Sequence, residues 1–333
     1  MLKTLLKVSF SILVIGYLAS HADGEKLLGY LQRASLGALA LAALIFFVSP
    51  AVQAIRWRAV VNILGAPFRY RDSLTNILIG LFFNQILPST IGGDAIRMWR
   101  TYRSGIAADV AISSVLLDRI VALLALIVIV GVATPVMYTL YGDHPELAVA
   151  PAFVALGIAG FVVLFVLDRL PRNWKTWRPV RAMAQLSASA RIVMLRPANT
   201  CKTLGISIAI HTLSVTGVFT ITQALALDVR FIDCLLLVPP VILFSVLPIS
   251  VAGWGVREGV MITAFAIIGV EYDAAFTVSV LFGLGVMSAG IPGAILWVTS
   301  KDADNGERFD ADKIRRFFSR DRSTAGDTGG DAA

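Results

Sequence analysis

The sequence predicts an all-α polytopic membrane protein of about six full transmembrane helices plus two re-entrant helical hairpins in an inverted repeat. Three observations carry this. Of 333 residues, 57% are hydrophobic and only 15% charged, and the mean hydropathy is +0.77, whereas soluble domains average about 45–50% apolar and about 25% charged. Apolar runs of crossing length alternate with basic loops. Two shorter apolar runs each end in a proline- and glycine-containing segment, and these segments resemble one another.

A helix needs about 20 mostly apolar residues to cross the roughly 30 Å hydrocarbon core. Residues 2–19, 36–54, 111–135, 147–167, 203–225 and 274–298 meet that requirement. Residues 74–87 and 235–247 are too short to cross and run into Pro88 and Pro248, as broken or re-entrant helices do. Lys3 and Lys7 open the first segment, an apolar stretch follows them, and then Ser20-His21-Ala22, a pattern that mimics a signal peptide. A retained first helix fits the charge alternation better.

Lys and Arg sort among the loops. Residues 56–71 carry four basic residues and no acid, 168–202 carry eight, and the segment after Ser300 carries seven. Residues 141–146 carry none. The positive-inside rule then places both termini and the two basic loops in the cytoplasm. The net charge of +7 is therefore a topology signal rather than a nucleic-acid-binding face. The loop 168–202 is expected to lie on anionic lipid headgroups. Residues 1–300 form one membrane domain, and 301–333 form a cytosolic tail with a helix around 310–320 and a disordered end.

Residues 87–97 align with 247–257 at a constant offset of 160, matching Leu87/Leu247, Pro88/Pro248, Gly93/Gly253 and Arg97/Arg257. The repeat halves fall around 72–138 and 232–298. Three full spans separate the copies, and an odd number inverts the second relative to the first. The hairpin tips then approach one another inside the bilayer.

Ionisable groups at membrane depth cost about 2.5–3.5 kcal/mol each and require partners or water. Asp118 and Arg119 lie inside the third long run, about 12 Å from its start at 1.5 Å per residue. Neighbours on a helix point apart, so their partners must come from elsewhere: Asp118 is expected to pair with Arg97, and Arg119 to face Asp94 or a ligand. Arg257-Glu258 mirrors this pair in the second hairpin. Exposed backbone amides at Gly92, Gly93, Gly253 and Gly255, beside an arginine, suit a phosphate, and arginine offers it a planar fork. The expected binding set is Arg97, Arg119 and Arg257 with the amides of Gly93 and Gly255. Asp94, Asp118 and Glu258 balance the arginines or hold a cationic amine, and Pro88 and Ser89 shape the tip.

His211 lies mid-span in a stripe with Thr212, Thr216, Thr220 and Gln223; such a stripe lines a cavity or bonds neighbouring helices, and bonding between helices is the favoured reading. Trp57, Trp99, Trp174 and Trp177 read as interfacial anchors. Cys201 and Cys234 fall at opposite ends of one apparent span and do not pair. The scattered histidines match no metal or nucleophile motif, so no cofactor is expected.

Three ordered motifs, Asn84-x-x-Leu87-Pro88-Ser89-x-x-Gly92-Gly93-Asp94-x-x-Arg97, Ser114-Val115-x-x-Asp118-Arg119 and Gly253-x-Gly255-x-Arg257-Glu258, resemble the lysylphosphatidylglycerol synthase transmembrane-domain family, also called the flippase-like membrane domain family. The resemblance spans roughly residues 1–300. It implies a helical domain that moves or handles lipids, with a membrane phospholipid or lipid-linked molecule as substrate. The family's bifunctional members add a cytosolic aminoacyltransferase domain, which is not expected here after Ser300. Ala252-Gly253-Trp254 stands where a glycine pair is expected. A polytopic lipid translocase of the bacterial inner membrane is the leading expectation. The alternatives are an enzyme using Asp118 or Glu258 as base on a lipid-linked substrate, and a scaffold recruiting a soluble synthase through residues 168–202. Self-association into a homo-oligomer is compatible with all three.

Overall fold

The computed structural model describes residues 2–87, 92–169, 178–247 and 250–299, and these form helices and no strand. The helices are α1 (Leu2–Ser20), α2 (Gly24–Arg33), α3 (Leu36–Ile63), α4 (Tyr70–Ile86), α5 (Gly92–Arg103), α6 (Ala108–Tyr141), α7 (Val149–Val166), α8 (Arg178–Met194), α9 (Pro197–Ala224), α10 (Phe231–Ser245), α11 (Val256–Ala266), α12 (Tyr272–Ser288) and α13 (Ile291–Thr299).

Among the described residues, five segments are long and apolar enough to cross a membrane: Leu36–Ile63, Ala108–Tyr141, Pro145–Val166, Pro197–Ala224 and Tyr272–Thr299. They define a multi-pass membrane protein. The expected sixth span, α1, is apolar over the shorter stretch Lys7–Ser20. The last segment is interrupted, because Ala289 and Gly290 leave the helix between α12 and α13. Helix α7 is apolar on every side, with Leu156, Ile158, Val162, Val163 and Val166 all exposed. Water would penalise so large an apolar surface, whereas hydrocarbon accepts it. Helix α2 buries no residue and is tied to the start of α12, where Lys26 pairs with Glu271 and the Asp23 amide donates to Asp273. Glu271 holds the Lys26 amine above its ordinary value.

Helices α3 and α9 pack antiparallel along their length. The Ser35 amide donates to the Ala224 carbonyl at one end, the Phe46 ring lies against Gly217 in the middle, and Arg56 reaches Ser207 at the other end. Each is 28 residues long. Each is followed by two short helices that pack together, α4 with α5 and α10 with α11, and then by a long apolar segment. The element order thus recurs around the two aligned segments and begins one helix upstream of the expected halves.

In the first helix pair, Gly80 faces Arg97 and Asn84 faces Gly93, which sets α4 and α5 antiparallel. The approach requires glycine: a Cβ at Gly93 would lie 2.0 Å from the Gly80 carbonyl oxygen. Helix α13 closes on the other side of α4, with Gly293 against the Leu78 carbonyl and Trp297 edge-on to Phe83. The second pair is covered by α1, where the Ser11 hydroxyl accepts from the Val251 amide. The largest apolar core gathers α3, α6, α9, α10, α11 and α12 around Phe46, Val218, Leu237, Met261 and Phe265.

Several expectations meet a limit or a correction here. Pro88, Ser89 and Pro248 at the expected tips, part of the basic loop, and the tail lie outside the described residues. Cys234 sits in α10 rather than at the end of α9, since α9 stops at Ala224.

Gly93→Ala is expected to destabilise the protein by about 1–3 kcal/mol, because the new methyl meets backbone rather than a yielding side chain. Gly205→Ala, with open space around it, is expected to be neutral or slightly stabilising. Thermal unfolding of both variants in one detergent checks this; equal midpoints would contradict the packing described.

Candidate functional site

The long helix α6 sets the depth of the site. Asp118 is ten residues from its first residue, about 15 Å along the axis, and is 2% exposed. Its two carboxylate oxygens take different partners: Oδ1 accepts from Arg56 Nε at 2.8 Å and Oδ2 from Arg97 Nη2 at 3.1 Å. Arg56 comes from α3 and Arg97 from α5, so one carboxylate ties three helices. Arg56 Nη1 also donates to Ser207 of α9 at 3.1 Å.

The ladder continues outward. Arg97 Nη1 reaches Asp94 Oδ1 at 3.3 Å, one helical turn back on α5. The Asp94 carboxylate then receives Arg119 in a two-point contact, Nε to Oδ2 at 2.9 Å and Nη2 to Oδ1 at 3.2 Å. Such fork-to-carboxylate geometry is the strongest form of this ion pair. Along the line Arg56, Asp118, Arg97, Asp94, Arg119, three guanidinium groups meet two carboxylates, leaving one positive charge in excess. The four inner side chains are buried, whereas the Arg119 side chain is 45% exposed. The ladder therefore ends on a half-open cation.

An aromatic floor lies beneath it. The Arg97 guanidinium carbon sits 4.3 Å from the Trp57 ring centroid, a cation–π contact that gains strength where water is excluded. Trp57 is fully buried, which corrects its reading as an interfacial anchor. Helix α3 continues to Ile63, so Trp57 and Arg56 lie inside the packed helix and not in a cytosolic loop.

The second helix pair solves the same problem internally. Arg257 Nη2 and Nε bind Glu258 Oε1 at 2.6 and 3.0 Å. The other Glu258 oxygen accepts from the Gly255 amide at 2.5 Å and caps α11. Gly253 and Gly255 have φ of +81° and +90°, a turn that side chains resist. Trp254 lies under Arg257 at 4.4 Å. Gly283 gives the guanidinium room, since a Cβ there would fall 2.0 Å from Nη2. Arg257 and Glu258 are buried and neutralise each other.

The structure brings together Asp94, Arg97, Asp118 and Arg119 as expected, and Arg257 with Glu258 in a separate pair. The backbone amides differ from expectation. The Gly93 amide donates to Asn84 Oδ1 at 3.0 Å, and the Gly255 amide is spent on Glu258. Neither is open to a phosphate, because each caps the start of its helix through a nearby side chain. Gly92 packs against Leu87. His211 Nε2 bonds to the Ala122 carbonyl across helices at 3.0 Å. Thr212, Thr216 and Thr220 bond to carbonyls of their own helix.

Fold and site together define a multi-pass helical membrane protein with a charge ladder buried among α3, α5 and α6. The chain belongs to the family described as the lysylphosphatidylglycerol synthase TM region, whose family model matches residues 4–286 of 333. None of the curated proteins matches it. The family associates the chain with the handling of membrane lipids.

Asp118→Asn is expected to destabilise by about 3–5 kcal/mol, because it leaves Arg56 and Arg97 buried without a counter-charge. Arg119→Gln removes a half-open partner and is expected to cost under about 1 kcal/mol. Unfolding midpoints of the two variants should separate clearly, and similar midpoints would contradict the ladder's graded burial.

Proposed function

We propose that this protein translocates a phosphate-bearing phospholipid or lipid-linked intermediate between the leaflets of a bacterial inner membrane, with both termini cytoplasmic. In this reading the pairs α4–α5 and α10–α11 are re-entrant hairpins that enter from opposite faces. The antiparallel packing of α3 on α9, each leading into one hairpin, supports that inversion. Rocking of the two halves about the α3–α9 seam would open the site to each side in turn.

The observation that carries the reading is the surplus positive charge of the ladder, delivered to the half-open Arg119. A lipid phosphate entering there would meet a guanidinium whose fork is already oriented by Asp94 and would neutralise the excess. Asp94 can in turn trade its contact with Arg119 for one with a headgroup amine, so the same end could read a zwitterionic or aminoacylated headgroup. The second hairpin, with Arg257 and Glu258 closed on each other, contributes shape and a pivot instead of a free cation. Asp118 and Glu258 are buried and tied to arginine, so each carboxylate is engaged in charge balance and is not presented to a substrate. That favours movement of the lipid over its chemical conversion.

The test is leaflet exchange in proteoliposomes carrying fluorescent lipids with neutral, anionic and aminoacylated headgroups, read by a reductant added outside. Arg119→Gln is expected to slow exchange at least tenfold at unchanged folding, and Arg119→Lys to restore part of it. Arg257→Ala is the poorer probe, because it strands Glu258 in the interior and unfolds the hairpin. Wild-type exchange by Arg119→Gln would overturn the assignment.

A further inference from the structure

Helix α6 is 34 residues long, about 51 Å at 1.5 Å per residue. The hydrocarbon core is roughly 30 Å thick, so about 20 Å of α6 projects beyond it. Its neighbours show which end projects. Helix α7, with 18 residues, is about 27 Å long, matches the hydrocarbon core and is apolar on every side. It runs antiparallel to α6, with Gly131 against Val154 and Ile127 against Gly157. Val166, the last residue of α7, lies nine residues beyond Gly157, and nine residues before Ile127 on α6 is Asp118. The end of α7 is therefore level with the ladder, and Arg169 is exposed just past that end.

The outward faces of α3 and α9 change character at the same height. On α3 the exposed large apolar residues run from Leu36 to Ile55, and the exposed residues that follow in the helix are Arg58 and Asn62. On α9 Lys202 is exposed, and Ile208 is the first exposed large apolar side chain. Arg56 and Ser207, bonded to one another, sit at these two transitions. From Leu36 to Arg56 is twenty residues, about 30 Å, so the opposite hydrocarbon boundary falls at the start of α3.

We infer that the charge ladder lies at the headgroup plane of the leaflet on the side of Arg58, Arg169 and Lys202, and that the face of α6 carrying Leu116 and Arg119 is a docking surface for phospholipid headgroups of that leaflet. Residues three apart share a helix face, and both of these are exposed. Arginine suits this plane, with its stem against hydrocarbon and its guanidinium among phosphates. The inference rests on the reading of Arg119 as the lipid contact and adds where loading occurs. Lipid enters sideways from one leaflet and not through a chamber at mid-membrane. The first turns of α6, before Asp118, stand on the aqueous side.

The test places a bimane fluorophore on Leu116→Cys or Val128→Cys, each with Cys201→Ser, in phosphatidylcholine vesicles. The vesicles contain lipids with a nitroxide quencher either on the headgroup or midway along an acyl chain. Val128 is exposed and lies twelve residues along α6 from Leu116, about 18 Å deeper. Headgroup nitroxide should quench the Leu116 label about threefold more strongly than mid-chain nitroxide, and the Val128 label should show the reverse order. The opposite pattern would put the ladder at mid-membrane and overturn the proposal, as would a Leu116 label that no lipid quencher reaches. Leaflet exchange does not enter this readout. A protein that moves no lipid yet shows the expected order loses the translocase reading and keeps the headgroup surface.

Discussion

Asp118 is the constraint on which the rest of the structure depends. A carboxylate buried among helices must be neutralised, and its two oxygens are satisfied by arginines from two different helices, Arg56 of α3 and Arg97 of α5. That double contact fixes how α3, α5 and α6 meet, and Ser207 extends it to α9. Apolar packing alone has little to hold membrane helices in register, because lipid tails compete for the same surfaces. Polar contacts at fixed heights supply the register. The cost is strong sensitivity to any change that removes one partner.

The two helix pairs handle their charges differently, and the difference bears on function. The pair α10–α11 closes Arg257 on Glu258 with Gly255 as cap, so its charge is balanced within two adjacent residues. The pair α4–α5 distributes its charge across three helices and keeps one cation in excess. Related halves with unequal charge give a lipid headgroup a single preferred place to dock. In the translocation we propose, that asymmetry would let one half hold the phosphate while the other acts as the moving wall. Glycine makes both arrangements compact: Gly80 with Gly93 in the first pair, and Gly283 beside Arg257 for the second.

Much of this was legible in the sequence because it depends on length, depth and charge. Apolar runs of crossing length located the spans. Short runs ending in proline and glycine located the paired helices, and the depth of Asp118 required a distant arginine, which is Arg97. What escaped depends on where helices end and where side chains turn. By hydropathy the apolar run through Pro50 stops at residue 54, so Arg56 and Trp57 read as loop and interface. Yet buried residues continue at Ala54, Trp57 and Val61, a helical spacing in the sequence that would have placed both inside. The occupation of the Gly93 and Gly255 amides by Asn84 and Glu258 was not legible, since it turns on side-chain geometry three and nine residues away. The interruption at Ala289–Gly290 had a signal in Gly290 and Pro292, overridden by the unbroken hydrophobicity around it.

In the translocation we propose, the two helix pairs open to opposite sides of the membrane around the α3–α9 seam. Single cysteines at Ala107→Cys, beyond the base of the first pair, and Glu271→Cys, beyond the base of the second, test it in a background carrying Cys201→Ser. Both positions are exposed, and the remaining native Cys234 is buried. A membrane-impermeant thiol reagent applied to intact cells should label Glu271→Cys and reach Ala107→Cys only after permeabilisation. Equal labelling of the two positions from one side would contradict the inverted arrangement and the translocation route built on it.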